Sequence, residues 1–376
     1  MDPMNRRDMD HMNERERFRA IMNYGPFDRP LLWHFGFWRE TQKQWREQGL
    51  ADSDSLEEML GMDSSFLGTK TALTGIVNLE PLWPGRPEIV EENDEYRLVR
   101  HQSGSLSKVT KLSADAMSHT IEYCMQPTRE SWEKQKPYLR PAVAERLTPG
   151  WETKVHDLTE ATSVVGLRVP GLYRFPEFWL GVEGVTYMMY DEPDAFADMI
   201  ETMVSMYEQT LAPVLERGCI DYVYVFEDCC GGTGPLISPA LYERFLAHAY
   251  RRLFDLCHAH GALTLMDSDG KVDDLISHWL ASGMDILFPV EVGTWKTDPV
   301  ELRRRFGKSL RMVGGVNKHV IGQGEKAIRS ELEHLVPLVE EGGYIPMPDH
   351  KIPPDCTLND FKRYVTIFKE IFFPAG

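Results

Sequence analysis

The sequence predicts an α/β fold of the (β/α)8 TIM-barrel class, and three observations carry that expectation. From about residue 160 onward, apolar strand-like runs alternate with amphipathic helical stretches, which means strand–helix–strand units and a parallel sheet. At least five such units occur, and no GxGxxG follows the first strand. That favours a closed barrel over a dinucleotide-binding sheet, and no nucleotide cofactor is expected. The late strands also end in ionisable or amide side chains, as expected where all strand C-termini open on one reactive face.

The elements follow in order. Residues 13–24 carry Phe18, Ile21 and Met22 at helical spacing, and Gly25-Pro26 breaks the pattern. LLWHF (31–35) reads as a first strand. Residues 80–160 are rich in Pro, Glu and Trp and include YRLVRHQSGSLSKVTKL, two extended runs about a Ser-Gly turn. They read as a hairpin-containing insertion decorating a single domain that spans 1–376. The rhythm then runs as strand 163–169, helix 194–217, strand 221–228, helix 239–258, and strand then loop over 261–270. It continues with helix 273–281, strand 284–292, helix 299–306, strand 309–317, helix 325–341, a strand ending in a loop over 342–350 and helix 358–373.

Composition bounds the function. The 376 residues carry a formal charge of −17, which argues against nucleic acid or an anionic membrane surface, since both require clustered positive charge. No apolar run reaches the roughly 18 residues of a membrane span. The N-terminal MDPMNRRDMDHMNERERF lacks the apolar core of a signal peptide, so a cytoplasmic location is expected. Six cysteines without a CxxC spacing read as free thiols in a reducing compartment. Adjacent Cys229 and Cys230 would point to different sides, one buried and one near the surface, and are not expected to share a metal.

The candidate catalytic groups lie at the strand ends: Glu227, Asp228, Asp267, Asp269, Glu291, Asn317, Lys318 and His350. Any one of them could merely cap the next helix. Asp273 and Asp298 are read that way. As a set on one rim they point to chemistry. In DSDG, residues i and i+2 of an extended segment face the same way, so Asp267 and Asp269 can converge on a cation or a substrate group. The alternative is an Asx-turn that splays them. Converging like charges need relief from a metal, a lysine or a shared proton, and Lys318 or an ion would serve. His34, Trp38, Arg168 and Tyr173 are the candidate substrate-binding residues, with Trp33 and Phe35 as further pocket candidates; for Trp33, Phe35, Trp38 and Tyr173 the alternative is core packing.

The segments RERFRAIMNYGPFDRP, EDCCGGTGPLISPALYERF, strand–DSDG–helix, GGVNK and GGYIPMPDHKIPPD together resemble the uroporphyrinogen decarboxylase superfamily. That superfamily includes porphyrinogen decarboxylases and corrinoid- or coenzyme-M-linked methyltransferases. The resemblance implies a (β/α)8 barrel with its site at the strand C-termini. Two departures narrow the reading. The arginine-rich segment with which the decarboxylases hold an acidic porphyrinogen is replaced by WHFGFWRETQKQW, with only Arg39. The HxC pair and late cysteine of the zinc methyltransferases match Asp267, Asp269 and His350, an oxygen-rich set for a divalent metal, zinc first, or for no metal at all.

The resemblance therefore implies a methyltransferase acting on a small methoxylated or methylated-amine donor. Its corrinoid would be free or carried by a partner protein, since this chain has no DxHxxG signature. The alternatives are a decarboxylase of a small acid, with Arg168 or Arg174 gripping the carboxylate, and a non-catalytic ligand-binding relative. A homodimer is common in the superfamily.

Overall fold

The computed structural model describes residues 12–51, 55–111 and 118–373. Ahead of the barrel strands, β1 (Glu88–Glu92), β2 (Tyr96–Arg100), β3 (Leu106–Thr110) and β4 (His119–Glu122) form an antiparallel sheet in the order β1-β2-β3-β4. The hairpin read about the Ser-Gly turn is β2–β3. The barrel strands follow: β5 (Gly166–Pro170), β6 (Tyr222–Phe226), a two-residue hairpin β7 (Cys230–Gly231) and β8 (Gly234–Pro235), then β9 (Leu263–Asp267), β10 (Ile286–Val290), β11 (Arg311–Val316) and β12 (Tyr344–Pro348). The main sheet is ordered β12-β11-β10-β9-β6-β5 and every pair in it is parallel. Apart from the small hairpin, sheet neighbours are chain neighbours, the signature of successive βαβ crossovers.

Two apolar layers follow from strand alternation. Val223, Val225, Met266, Leu287 and Met312 pack outward against the helices. Tyr222, Tyr224, Leu265, Ile286, Phe288, Val313, Ile345 and Met347 fill the barrel interior, joined by Phe18, Leu31, Trp33 and Phe66 from the N-terminal segment. LLWHF thus differs from expectation. It has no strand ladder, but its inward side chains plug the gap between β12 and β5. The Trp33 ring lies 5.3 Å from Phe66, and Phe18 lies 5.6 Å from Tyr222. On the β12 side the chain is tied by Gly343 N to Ile21 O at 2.7 Å and by Ile352 N to Gly36 O at 3.0 Å. On the β5 side the helix Phe66–Lys70 lies directly on Gly166, where an added Cβ would meet Thr69 O at 2.7 Å and the Lys70 Cα at 2.8 Å. Only glycine permits that approach.

Other differences have local causes. The helix expected over 239–258 is two, Pro239–Phe245 and Ala247–Ala259. A helix not anticipated, Arg174–Asp191, is kinked at Gly181, whose φ of 74° is non-helical. Asp298 caps its helix by accepting from Val300 N at 2.8 Å, whereas Asp273 does not cap and instead pairs with Arg305. Cys229 and Cys230 are both buried. No helix among the described residues is long and apolar enough to cross a membrane.

Candidate active site

The C-terminal ends of the strands surround a lumen floored by Tyr224, Lys70 and Asp267. Tyr224 points inward from β6, and its hydroxyl bonds Asp267 Oδ2 at the end of β9. Lys70 Nζ donates to the same hydroxyl at 3.0 Å. The ammonium also sits 4.4 Å from the Tyr224 ring centroid and 5.3 Å from that of Phe35. Burial pushes the Asp267 carboxyl up to about 7, against the pull of Lys70, Arg168 and Arg174. Burial likewise lowers Lys70 to about 8. Taking a charge out of water disfavours it, so acid and base move toward each other here.

Asp269 lies two residues beyond the end of β9, with 41% of its side chain exposed and its Oδ2 3.6 Å from His350 Nε2. Desolvation, then repulsion from Asp267, Glu291 and Asp228, raise its carboxyl to about 8, with Lys318 opposing. His350 packs 4.7 Å from Phe35 and 6.0 Å from Trp38. Burial first, then Lys318, depress its pKa to about 4, so the imidazole is neutral at pH 7. Gly270 permits the turn after DSDG, because a Cβ there would strike the Cys230 carbonyl carbon at 2.7 Å.

On the far side of the rim, Lys318 pairs with Glu291 at 3.2 Å and with buried Asp349 at 3.6 Å. Asp349 also accepts from Gly293 N at 2.6 Å and Lys318 N at 3.1 Å. This is a compact ion cluster that fixes the loop after β11. Lys318 opposes the rise in the Asp269 pKa, but its direct partners are Glu291 and Asp349.

Asp267, Asp269, His350, Asp228, Trp38 and Arg168 come together about the mouth. Asp228 pairs with Arg174 at 3.2 Å. The Arg168 guanidinium, exposed, lies 4.7 Å over the Phe226 ring. Four expected residues do not join them. Glu227 is fully buried, and its carboxylate accepts from Tyr173 N at 3.2 Å and Arg174 N at 3.4 Å, beneath the start of the helix Arg174–Asp191. Tyr173 is itself core, with its hydroxyl 3.5 Å from Leu236 O. Asn317 turns its side chain back to accept from His319 N at 3.0 Å. His34 pairs with Glu57 at 2.9 Å and lines a lateral cavity of about 530 Å³ beside Arg39, Gln42 and Lys351.

The expected metal triad is not assembled. One Asp267 oxygen is taken by Tyr224, which leaves only Asp269 and His350 near each other. Among the described residues no three His, Cys, Asp or Glu side chains are grouped to hold one ion. Two participants were missed. Tyr224 was legible as an inward member, with Tyr222, of the alternating YVYVF run. Lys70 sits on a five-residue helix with no sequence signal of its own.

Fold and mouth define a TIM barrel with an acid-bearing, aromatic-lined site at its strand C-termini. The profile of the family described as uroporphyrinogen decarboxylase (URO-D) matches residues 180–371, just over half of the chain, and the chain belongs to that family. A methyltransferase structure from Methanosarcina mazei aligns over 96% of this chain and 99% of its own, with 13% identity and a TM-score of 0.61. It shares the fold. A B12-independent methionine synthase from Shewanella sp. W3-18-1 aligns over 84% of both chains with 11% identity and a TM-score of 0.35, too distant to bear on the argument. No protein of curated function matches by sequence.

Proposed function

We propose that the protein is a methyltransferase that demethylates a small methoxylated or methylated-amine substrate, with Asp267 as general acid and a reduced corrinoid, free or on a partner protein, as acceptor. The observation that carries this reading is a carboxyl held near neutrality, with its pKa pushed to about 7, on the floor of an aromatic-lined lumen. The acceptor's electron pair forms the new bond to the methyl carbon. The carbon–heteroatom bond breaks toward the heteroatom, which takes the Asp267 proton as it leaves. Protonating the leaving atom in the transition state makes methyl the better electrophile, and a positioned acid contributes about 10²–10⁴-fold. Asp269, beside neutral His350, completes the polar side of the mouth. Phe35, Trp38 and Phe288 supply an apolar side that excludes water. The test is methylation of added cob(I)alamin from a panel of methoxylated and methylated-amine donors. Turnover by the wild type and its loss in Asp267→Asn are expected, and full activity in the variant would refute the assignment.

A second reading is favoured by one observation, the exposed Arg168 guanidinium over Phe226. It would grip the carboxylate of a small acid while Asp267 protonates the carbon left by decarboxylation. Release of CO2 from such an acid, with no methyl transfer, would select it.

A further inference from the structure

We propose that the cavity between the inserted sheet and the helix Arg174–Asp191 is a second ligand site, built for a neutral aromatic ring that carries hydroxyl groups. The cavity encloses about 460 Å³, a size that takes a small molecule. The turn joining β2 to β3, with the facing parts of β3 and β4, forms one wall. The first turns of the helix form the other.

The two walls differ in chemistry. On the helix side, Phe175, Phe178 and Trp179 join Trp83 in tilted or edge-to-face contacts. The Trp83 and Trp179 centroids lie 6.2 Å apart at 80°, those of Phe175 and Trp179 5.1 Å apart at 56°. Phe175 and Phe178 lie 6.4 Å apart at 80°. Such an array leaves ring faces and edges to which a further ring can add. Phe178 in particular keeps 44% of its surface exposed in the cavity wall.

On the sheet side, Ser107 and Thr120 are cross-strand partners, so their side chains share one face. Ser107 is only 5% exposed, yet its hydroxyl has no hydrogen-bond partner among the described residues. A nearly buried hydroxyl without a partner is costly, and a ligand hydroxyl at this wall would satisfy it.

The charge balance favours a neutral ring. No lysine or arginine belongs to the described lining. Burial pushes the Cys124 thiol up to about 11, so it is uncharged at pH 7. The one carboxylate, Glu80, sits at the junction with a smaller cavity of about 170 Å³, where the Arg168 charge opposes it. Arg174 ties the site to the barrel mouth. Its guanidinium lies 4.7 Å over the Phe178 ring and pairs with Asp228 at 3.2 Å.

The test is titration calorimetry of the full-length protein with resorcinol, which has the ring and the hydroxyls but no methyl group to transfer. Binding to the wild type is expected, weakened about tenfold in Phe178→Ala and about threefold to tenfold in Ser107→Ala. Methyl glucoside, with hydroxyls but no flat ring, should not bind. Absence of resorcinol binding, an affinity unchanged in both variants, or tighter binding of methyl glucoside would overturn the assignment. Where a variant fails to fold, a crystal structure of the wild type with resorcinol decides: the ring against Trp83, Phe178 and Trp179 supports the site, and the ring elsewhere refutes it. The site does not depend on the reaction proposed for the mouth, so the failure of either leaves the other standing.

Discussion

Glu227 and Asp267 end neighbouring strands, and the Glu227 amide even donates to the Asp267 carbonyl at 2.9 Å. Burial raises both carboxyls, to about 8 and about 7. Their surroundings differ. Beneath the helix Arg174–Asp191, Glu227 is closed in by Tyr250 and by the first backbone amides of that helix, which favour its charge. At the lumen, Asp267, 7% exposed against 0% for Glu227, meets the Tyr224 hydroxyl and, beyond it, Lys70. A perturbed pKa marks a functional site only when the group can be reached. The same physics leaves one carboxyl tied beneath a helix and the other at the lumen, where the acid role is proposed.

The sharpest way to break this comparison is Asp267→Asn, which should lower methyl transfer about 10³-fold, within the range for a lost general acid, and leave the melting temperature nearly unchanged. The wild-type rate should fall as pH rises through about 7, where Asp267 gives up its proton, and a pH–rate profile checks this. Glu227→Ala should do the reverse and cost about 3 kcal/mol of stability in urea unfolding, because buried amides and Tyr250 lose their partner.

The sign of the Glu227 linkage sharpens the contrast. Its folded pKa, about 8, lies above the unfolded value of 4.5, so its contribution is complete below about 4.5 and is lost progressively as pH rises from there through about 8. Glu227→Gln should therefore flatten the loss of stability between about pH 4.5 and 8 while leaving turnover intact. The smallest effect belongs to Asn317→Ala. Loss of a cap should cost about 1 kcal/mol in the same unfolding assay, with no change in rate.

The barrel was legible because βαβ rhythm is a local pattern. Helices 273–281, 299–306 and 325–341 fall where periodicity and Pro or Gly punctuation place them. LLWHF carried the apolar signal of a strand but not its hydrogen bonding, since ladder partners are set by closure of the barrel. At the site, Asp267, Asp269 and His350 were legible as strand-end groups. Their partners were not: the Tyr224 hydroxyl on Asp267 and Lys70 on that hydroxyl carry no signal in the local sequence. Glu227 and Asn317 were misread because sequence does not show whether a strand-end side chain turns into the lumen or back onto an amide.

The most direct test of the central claim is single-turnover methyl transfer to cob(I)alamin by wild type, Asp267→Asn and Glu227→Gln under identical conditions. Activity retained in Glu227→Gln and lost in Asp267→Asn is the predicted result. Activity that survives in Asp267→Asn, or disappears only in Glu227→Gln, would contradict the assignment of the lumen carboxyl as the acid.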